Sequence, residues 1–265
     1  YDVYWVTEND LIIDYLNKNQ LKYISRKKNP IEYLYVSLKA KIVIDSGDYY
    51  HNPFKIITNR VIKITTLHGN GPKDCPTPRK NLKETLVEIF NINKFDYINI
   101  PSSHMLNKNG RFGYHIPKEK LINLGYPRCD QFFDKDYVQK RYKEKPITNA
   151  LLNSEYDGAG KIILYTPTWR PYKYDMPLNQ LIGLDSFNQL DKYFIDNNIY
   201  VFYSMHTAMN IPKSLISTKR IKYIDNINRY PFYDTNSFML EVDLLINDYS
   251  TTSTDFALLN RPQIF

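Results

Sequence analysis

The sequence predicts an α/β protein of two domains, each built on a parallel sheet. Three observations carry that expectation. Short apolar, β-branched or aromatic runs alternate with longer helical patterns along the chain, which is the signature of βα units. The short runs lack clean period-two alternation, as suits strands buried on both faces. The 265 residues allow about one to two domains of roughly 150 residues each.

The elements follow in order. In the first half, strands are expected at Val3–Val6, Leu21–Ile24, Lys41–Ile44, Val61–Leu67 and Asp96–Ile100, and helices at Asn9–Lys18, Pro30–Ala40 and Lys80–Ile92. Within Pro30–Ala40, Ile31, Leu34, Val36 and Leu38 give only a loose helical stripe. A basic stretch, Lys140 to Pro146, and a polar, glycine-bearing one, Asn153 to Gly160, have linker composition. They place the domain boundary near 140–160, giving domains 1–150 and 151–265. In the second half, strands are expected at Lys161–Tyr165, Tyr200–Ser204, Ile221–Ile224 and Leu244–Ile246. Helices are expected at Asp185–Asn197, Ser237–Glu241 and Thr251–Asn260, with Asp185 or Ser186 as the N-cap of the first. Pro262–Phe265 reads as the opening of another strand, and Tyr1 enters directly into an apolar run. Both ends therefore read as cut, with the second domain incomplete at its carboxyl end. Ligands of such sheets bind beyond the carboxyl ends of the strands.

Composition narrows the class. With 43% hydrophobic and 24% charged residues, disorder, collagen and coiled coil are excluded. No apolar run approaches the ~20 residues that span a bilayer. Two cysteines, Cys75 and Cys129, exclude a disulfide scaffold and a cysteine-built zinc site. No signal-peptide pattern is present. Residues 1–150 hold 25 Lys+Arg against 16 Asp+Glu, a net +9, whereas residues 151–265 hold 10 against 12, a net −2. The first half is thus the one matched to an anionic partner. A Lys- and Asn-rich composition with 24 Tyr gives the same excess without any partner.

Four loop segments sit where chemistry is expected. Leu67-His68-Gly69-Asn70-Gly71-Pro72-Lys73 follows a strand. There a neutral His68 can accept a proton, Gly69 permits close approach and Lys73 can neutralise phosphate. It is neither a Walker loop nor a dinucleotide fingerprint, and a solvated loop histidine fits as well. Tyr165-Thr166-Pro167-Thr168-Trp169-Arg170 offers the Arg170 fork for phosphate, or simply a proline-terminated strand. Phe202 to Thr207 ends a strand at His206, a second strand-end histidine. Leu244 to Phe256 leads from a strand into Ser250-Thr251-Thr252-Ser253-Thr254-Asp255. Hydroxyls and free amides at that helix start suit phosphate, while Ser250 or Thr251 equally reads as an ordinary N-cap. Asp255 lies about one turn beyond Thr251.

Together these segments resemble the CDP-glycerol glycerophosphotransferase family, the teichoic-acid primase and polymerase type. The resemblance rests on Leu67-His68-Gly69, Gly125-Tyr126-Pro127-Arg128-Cys129-Asp130, Tyr165 to Arg170, and Asn247-Asp248-Tyr249-Ser250 continuing through Asp255-Phe256 to Asn260-Arg261-Pro262. It implies a GT-B-like architecture, two Rossmann-like domains facing a cleft, with 1–150 serving the acceptor and 151–265 the CDP-linked donor. It implies transfer of glycerol phosphate, or a related polyol phosphate, to an acceptor hydroxyl with release of CMP. His68 is then the general base and His206 the donor-phosphate ligand. Arg170, Thr207, Ser250, Thr251 and Asp255 belong to the donor, and Gly69, Lys73 and Arg128 to the acceptor or to phosphate. The chain departs from the pattern at Cys129, where the family has Asn. It departs again at Asn70-Gly71, inserted before Pro72, and at Ser204-Met205-His206, which lacks a neighbouring basic residue.

The expected partners are a CDP-polyol and an anionic polyol-phosphate or lipid-linked glycan acceptor, met in the cytoplasm or at the inner face of a bacterial plasma membrane. A Mg²⁺ held loosely on a pyrophosphate leaves little sequence trace, and no metal cluster is expected. Two other classes remain open: a GT-B glycosyltransferase using a nucleotide sugar, and a non-catalytic anion-binding protein. No helix-turn-helix, RRM or zinc-finger pattern points to nucleic acid.

Overall fold

The computed structural model describes residues 2–46, 61–66, 95–102, 117–152, 156–168, 182–204, 217–224, 234–248 and 250–265. The chain divides into two units, Tyr1–Pro127 and Arg128–Phe265.

In the first unit, β1 (Trp5–Val6) pairs in parallel with β2 (Tyr23–Ile24). Between them lies α1 (Asp10–Lys18), whose start is fixed by Asn9, the side chain of which accepts from the Leu11 N–H. Acidic Asp10 at its start and basic Lys18 at its end match the helix dipole, and Ile13 and Leu16 are its buried stripe. Helix α2 (Pro30–Lys39) opens with proline, whose missing N–H costs nothing there. A second sheet runs β3 (Ile42–Asp45), β4 (Ile62–Thr65), β5 (Tyr97–Ile100) and β6 (Leu121–Asn123) in sequence order, all parallel. Its core is β5, where Ile98 and Ile100 are fully enclosed and Asn99 is also buried. The Asn99 amide donates to the Gly125 carbonyl at 2.6 Å and accepts from the Leu124 N–H at 3.1 Å. Gly125 needs its φ of 71° to make that turn, a conformation cheap only for glycine.

The second unit holds the sheet order β11–β10–β7–β8–β9, all parallel. Its strands are β7 (Lys161–Thr166), β8 (Ile199–Ser204), β9 (Ile221–Ile224), β10 (Leu244–Asn247) and β11 (Gln263–Ile264). Counted from β7 this is the Rossmann order 3-2-1-4-5, with the switch point between β7 and β10. One face packs Val201 and Ile221 against Phe187 of α5 (Leu184–Asp196). On the other, Phe202 meets Phe238 edge-on at 5.1 Å. Phe238 lies on α6 (Thr235–Met239), and α7 (Thr251–Ala257) follows β10.

At the amino ends of these strands sits a charged clasp. Fully enclosed Glu241 accepts from Arg141 Nη2 at 2.7 Å, the Ile147 N–H at 3.0 Å, and the Thr148 N–H and hydroxyl at 2.8 and 3.0 Å. Asp243 accepts from the Ile162 N–H and Lys161, and from the Tyr142 hydroxyl. Lys145 donates to the Glu241 carbonyl. Arg261 donates to the Leu240 and Val242 carbonyls.

The structure departs from the sequence expectation in three places. The division falls at Pro127/Arg128, ahead of the 140–160 stretch, because α3 (Lys135–Glu144) and α4 (Pro146–Leu151) are bound into the second unit by Arg141, Tyr142, Lys145 and Thr148. Those two helices, and β6, go unannounced by apolar periodicity. Helix α5 begins after Gly183, which is its N-cap at φ 79°, so Asp185 stands in the first turn and not at the cap. The expected opening of a strand at Pro262–Phe265 is β11. The expected helix Lys80–Ile92 and the end of the Val61–Leu67 strand lie outside the described residues.

Candidate functional site

Parallel register places Asn247, the last residue of β10, beside Thr166, the last residue of β7. Both are over nine-tenths buried. The Asn247 side-chain oxygen accepts from the Asp248 N–H at 2.6 Å, which fixes the amide and turns Nδ2 away. That Nδ2 and the Thr166 hydroxyl are buried without a hydrogen-bond partner. The switch point is thus edged by a polar pair that the fold itself does not satisfy, unlike most buried polar groups.

One residue further, the two loops are tied together. The Asp248 carboxylate accepts from the Thr168 N–H at 3.1 and 3.2 Å and from the Thr168 hydroxyl. The Thr166-Pro167-Thr168 and Asn247-Asp248 segments, 80 residues apart, therefore form one edge.

Helix α7 begins on that edge. Ser250 is its N-cap and accepts from the Thr252 N–H, so its hydroxyl serves the helix. The Ser253 hydroxyl donates to the Ser250 carbonyl, and that of Thr254 to the Thr251 carbonyl. One turn beyond Thr251, Asp255 is 6% exposed. Its carboxylate accepts from Arg128 Nε at 2.7 Å and Nη2 at 3.3 Å, and from Asn236 Nδ2 at 3.3 Å. Arg128 arrives on a 3₁₀ turn, Pro127–Phe132. That turn is steadied by Gln131, which donates to the Arg128 carbonyl and accepts from Ser237. Beside it, Cys129 is buried, and burial together with the Asp255 charge pushes its thiol up to about 12.

The structure therefore brings together Arg128, Ser250, Thr251 and Asp255. His68, Gly69, Lys73, Arg170, His206 and Thr207 lie outside the described residues. Sequence reasoning missed Asn236, Asn247 and Thr166 as site residues, and the Asp248–Thr168 tie. The last was within reach, since both partners stand in motif segments at strand ends. Among the described residues, no group of three His, Cys, Asp or Glu could hold a metal ion.

Two parallel-sheet units, the second in Rossmann order, put the chain in the GT-B-like α/β class. Solved structures agree. The wall teichoic acid polymerase TagF matches all of this chain and 62% of its own, at 20% identity and a TM-score of 0.67. A UDP-GlcNAc 2-epimerase from Neisseria meningitidis, bound to UDP-GlcNAc, matches 97% of this chain and 71% of its own, at 16% identity and a TM-score of 0.59. At such identities the likeness establishes the fold alone. The family described as CDP-glycerol:poly(glycerophosphate) glycerophosphotransferase matches residues 1–265, and the chain belongs to it. The teichoic acid glycerol-phosphate primase of Bacillus subtilis (strain 168) is 25% identical over 254 residues, 92% of this chain. The teichoic acid poly(ribitol-phosphate) polymerase of Bacillus spizizenii is 31% identical over 175 residues, 63% of this chain. The chain spans 60% of that primase's length and 25% of that polymerase's.

Proposed function

We propose that this chain is the transferase core of an enzyme that moves glycerol phosphate, or a related polyol phosphate, from a CDP-linked donor to an acceptor hydroxyl. The product is a teichoic-acid-like or capsular surface polymer, and CMP is released. The observation that carries this reading is convergence. Three motif segments far apart in sequence meet at the carboxyl edge of one Rossmann-ordered sheet, in a chain matched along its whole length by the glycerophosphotransferase family.

In the proposed reaction an acceptor hydroxyl attacks the β-phosphorus and the CMP oxygen departs with the bonding pair. The protein's tasks are positioning and stabilisation of developing charge. His68 takes the hydroxyl proton, a role worth about 10²–10⁴-fold, and His206 binds the donor phosphate. The donor side takes Arg170, Thr207, Ser250, Thr251 and Asp255; Gly69, Lys73 and Arg128 meet acceptor or phosphate. Any Mg²⁺ would ride on the pyrophosphate. The acceptor is an anionic polyol phosphate or lipid-linked glycan, met at the inner face of the plasma membrane through peripheral contact. No helix among the described residues is long and apolar enough to cross a membrane.

The test is CMP release by the full-length protein from CDP-glycerol, CDP-ribitol and UDP-sugars. Turnover of a CDP-polyol supports the reading. Turnover of UDP-sugars alone would establish the glycosyltransferase alternative, and salt-sensitive anion binding without release of any nucleotide would establish the non-catalytic one. His206→Ala should weaken donor binding, and an unchanged affinity by calorimetry counts against its role.

A further inference from the structure

We propose that the first unit of the full-length protein holds one further parallel strand, between β1 and β3, drawn from the chain ahead of Tyr1. The inference does not depend on the proposed reaction. Its basis is strand order. The second unit runs β9–β8–β7–β10–β11, with its first strand in chain order, β7, at the centre. Among the described strands of the first unit, β2–β1 and β3–β4–β5–β6 form two separate sheets. On the second unit's pattern they read as third, second, a gap, then fourth onward, and the gap is the place of the strand that comes first. The chain spans 60% of the length of the Bacillus subtilis primase, so a member of this family has chain to spare for such a strand.

Exposure marks the same place. In the second unit the neighbours of β7 are enclosed: Val201 and Phe202 on β8 are 4% and 0% exposed, and Leu245 on β10 is 0%. Their counterparts on β1 and β3 are open, with Trp5 at 56%, Val6 at 59%, Ile42 at 54% and Ile44 at 68%. Parallel sheets are otherwise buried on both faces. The helix after the third strand repeats the contrast. In the second unit α6 buries Phe238 and Met239, whereas in the first α2 leaves Ile31, Leu34, Tyr35 and Leu38 exposed, at the i, i+3, i+4, i+7 spacing of a core-facing stripe. The backbone agrees. The Trp5 and Thr7 N–H groups donate to Lys22 and Ile24, and the Lys41 and Asp45 carbonyls accept from Ile62 and Thr66. Alternation along the strand turns Val6, Ile42 and Ile44 the other way, to open edges that are templates for an added strand. With that strand in place the switch point of this unit lies between it and β3, so the loop leaving it borders whatever ligand the first unit takes.

The test is hydrogen exchange at single-amide resolution on the full-length protein. The Val6, Ile42 and Ile44 amides should exchange at least about 100-fold more slowly than in an unstructured chain; exchange near the unstructured rate would overturn the proposal. Ile44→Asp should lower the urea midpoint by about 1 M, as a charge placed on a covered sheet face does. An unchanged midpoint would overturn the proposal as well. The occupant is read by photo-crosslinking from Ile44→photo-leucine, a nearly isosteric change. Capture of a peptide ahead of Tyr1 in the same molecule supports the assignment. Capture confined to residues 1–265, or to a second molecule, would overturn it.

Discussion

Cys129 shows how much one neighbour decides at the scale of a residue. Its thiol is enclosed beside the Asp255 carboxylate, which with burial raises it to about 12. An unfolded thiol titrates near 8.5. With Cys75 replaced by Ser, native protein at pH 8 should therefore react with a disulfide reagent on the order of a thousandfold more slowly than unfolded protein; comparable rates would contradict this environment. Arg128 and Asp255 were each legible in the sequence as site residues, but as belonging to different ligands. Their pairing across 127 positions was not, because no local period or spacing encodes a contact of that range.

At the scale of elements, the second unit separates its two ends by chemistry. The carboxyl ends of β7 and β10 carry unsatisfied polar atoms, whereas at the amino ends the Glu241 and Asp243 carboxylates are hydrogen-bonded into a clasp. Removing Glu241 as Glu241→Ala strands Arg141 and the Ile147 and Thr148 amides, and should cost about 3–5 kcal/mol, read by urea unfolding. A loss below about 1 kcal/mol would show the clasp to be incidental. Burial alone would raise the Asp243 carboxyl, but hydrogen bonds from Tyr142, Ile162 and Lys161 and the Lys145 charge outweigh it and hold the group below its usual range. A depressed folded value means stability is full above the unfolded value near 3.9 and lost as pH falls through the folded one. Asp243→Asn should thus lower stability at pH 7 and remove that part of the acid loss. Glu241 has the opposite sign: burial raises it, so its ionisation opposes folding as pH climbs above about 4.3.

The clasp also explains what the sequence hid. Strands β7, β8, β9 and β10 were legible because buried parallel strands are dense in Ile, Leu, Tyr and Val. Helix α3 was not, since Lys135–Glu144 is charged nearly all round and shows no apolar stripe. It is a helix through its Asp134 cap, which accepts from the Tyr137 N–H at 3.0 Å, and through long side chains reaching Glu241 and Asp243. Its end is marked by Lys145 in the left-handed region at φ 44°, ahead of Pro146, which disfavours a helical predecessor.

At the scale of the molecule, the charge asymmetry narrows from +9 against −2 to +7 against 0 once the observed division replaces the expected one. Residues 1–127 hold 19 Lys+Arg against 12 Asp+Glu, and residues 128–265 hold 16 of each. The whole net charge of +7 therefore belongs to the first unit. A polyanionic acceptor met by that unit should bind with strong salt dependence, while a donor held by a few directed groups in a neutral unit should not. Raising NaCl from about 0.05 to 0.5 M should increase KM for a polyol-phosphate acceptor severalfold and leave KM for the donor within about twofold. Equal responses would remove the electrostatic division of labour.

The most direct measurement is the rate of CMP release from CDP-glycerol by the full-length protein and by its His68→Ala variant, with an acceptor present. The proposed mechanism predicts turnover in the wild type. In the variant it predicts a fall of about 10²–10⁴-fold with donor affinity retained by calorimetry. Near-wild-type turnover in the variant, or no CMP from any CDP-polyol in the wild type, would contradict it.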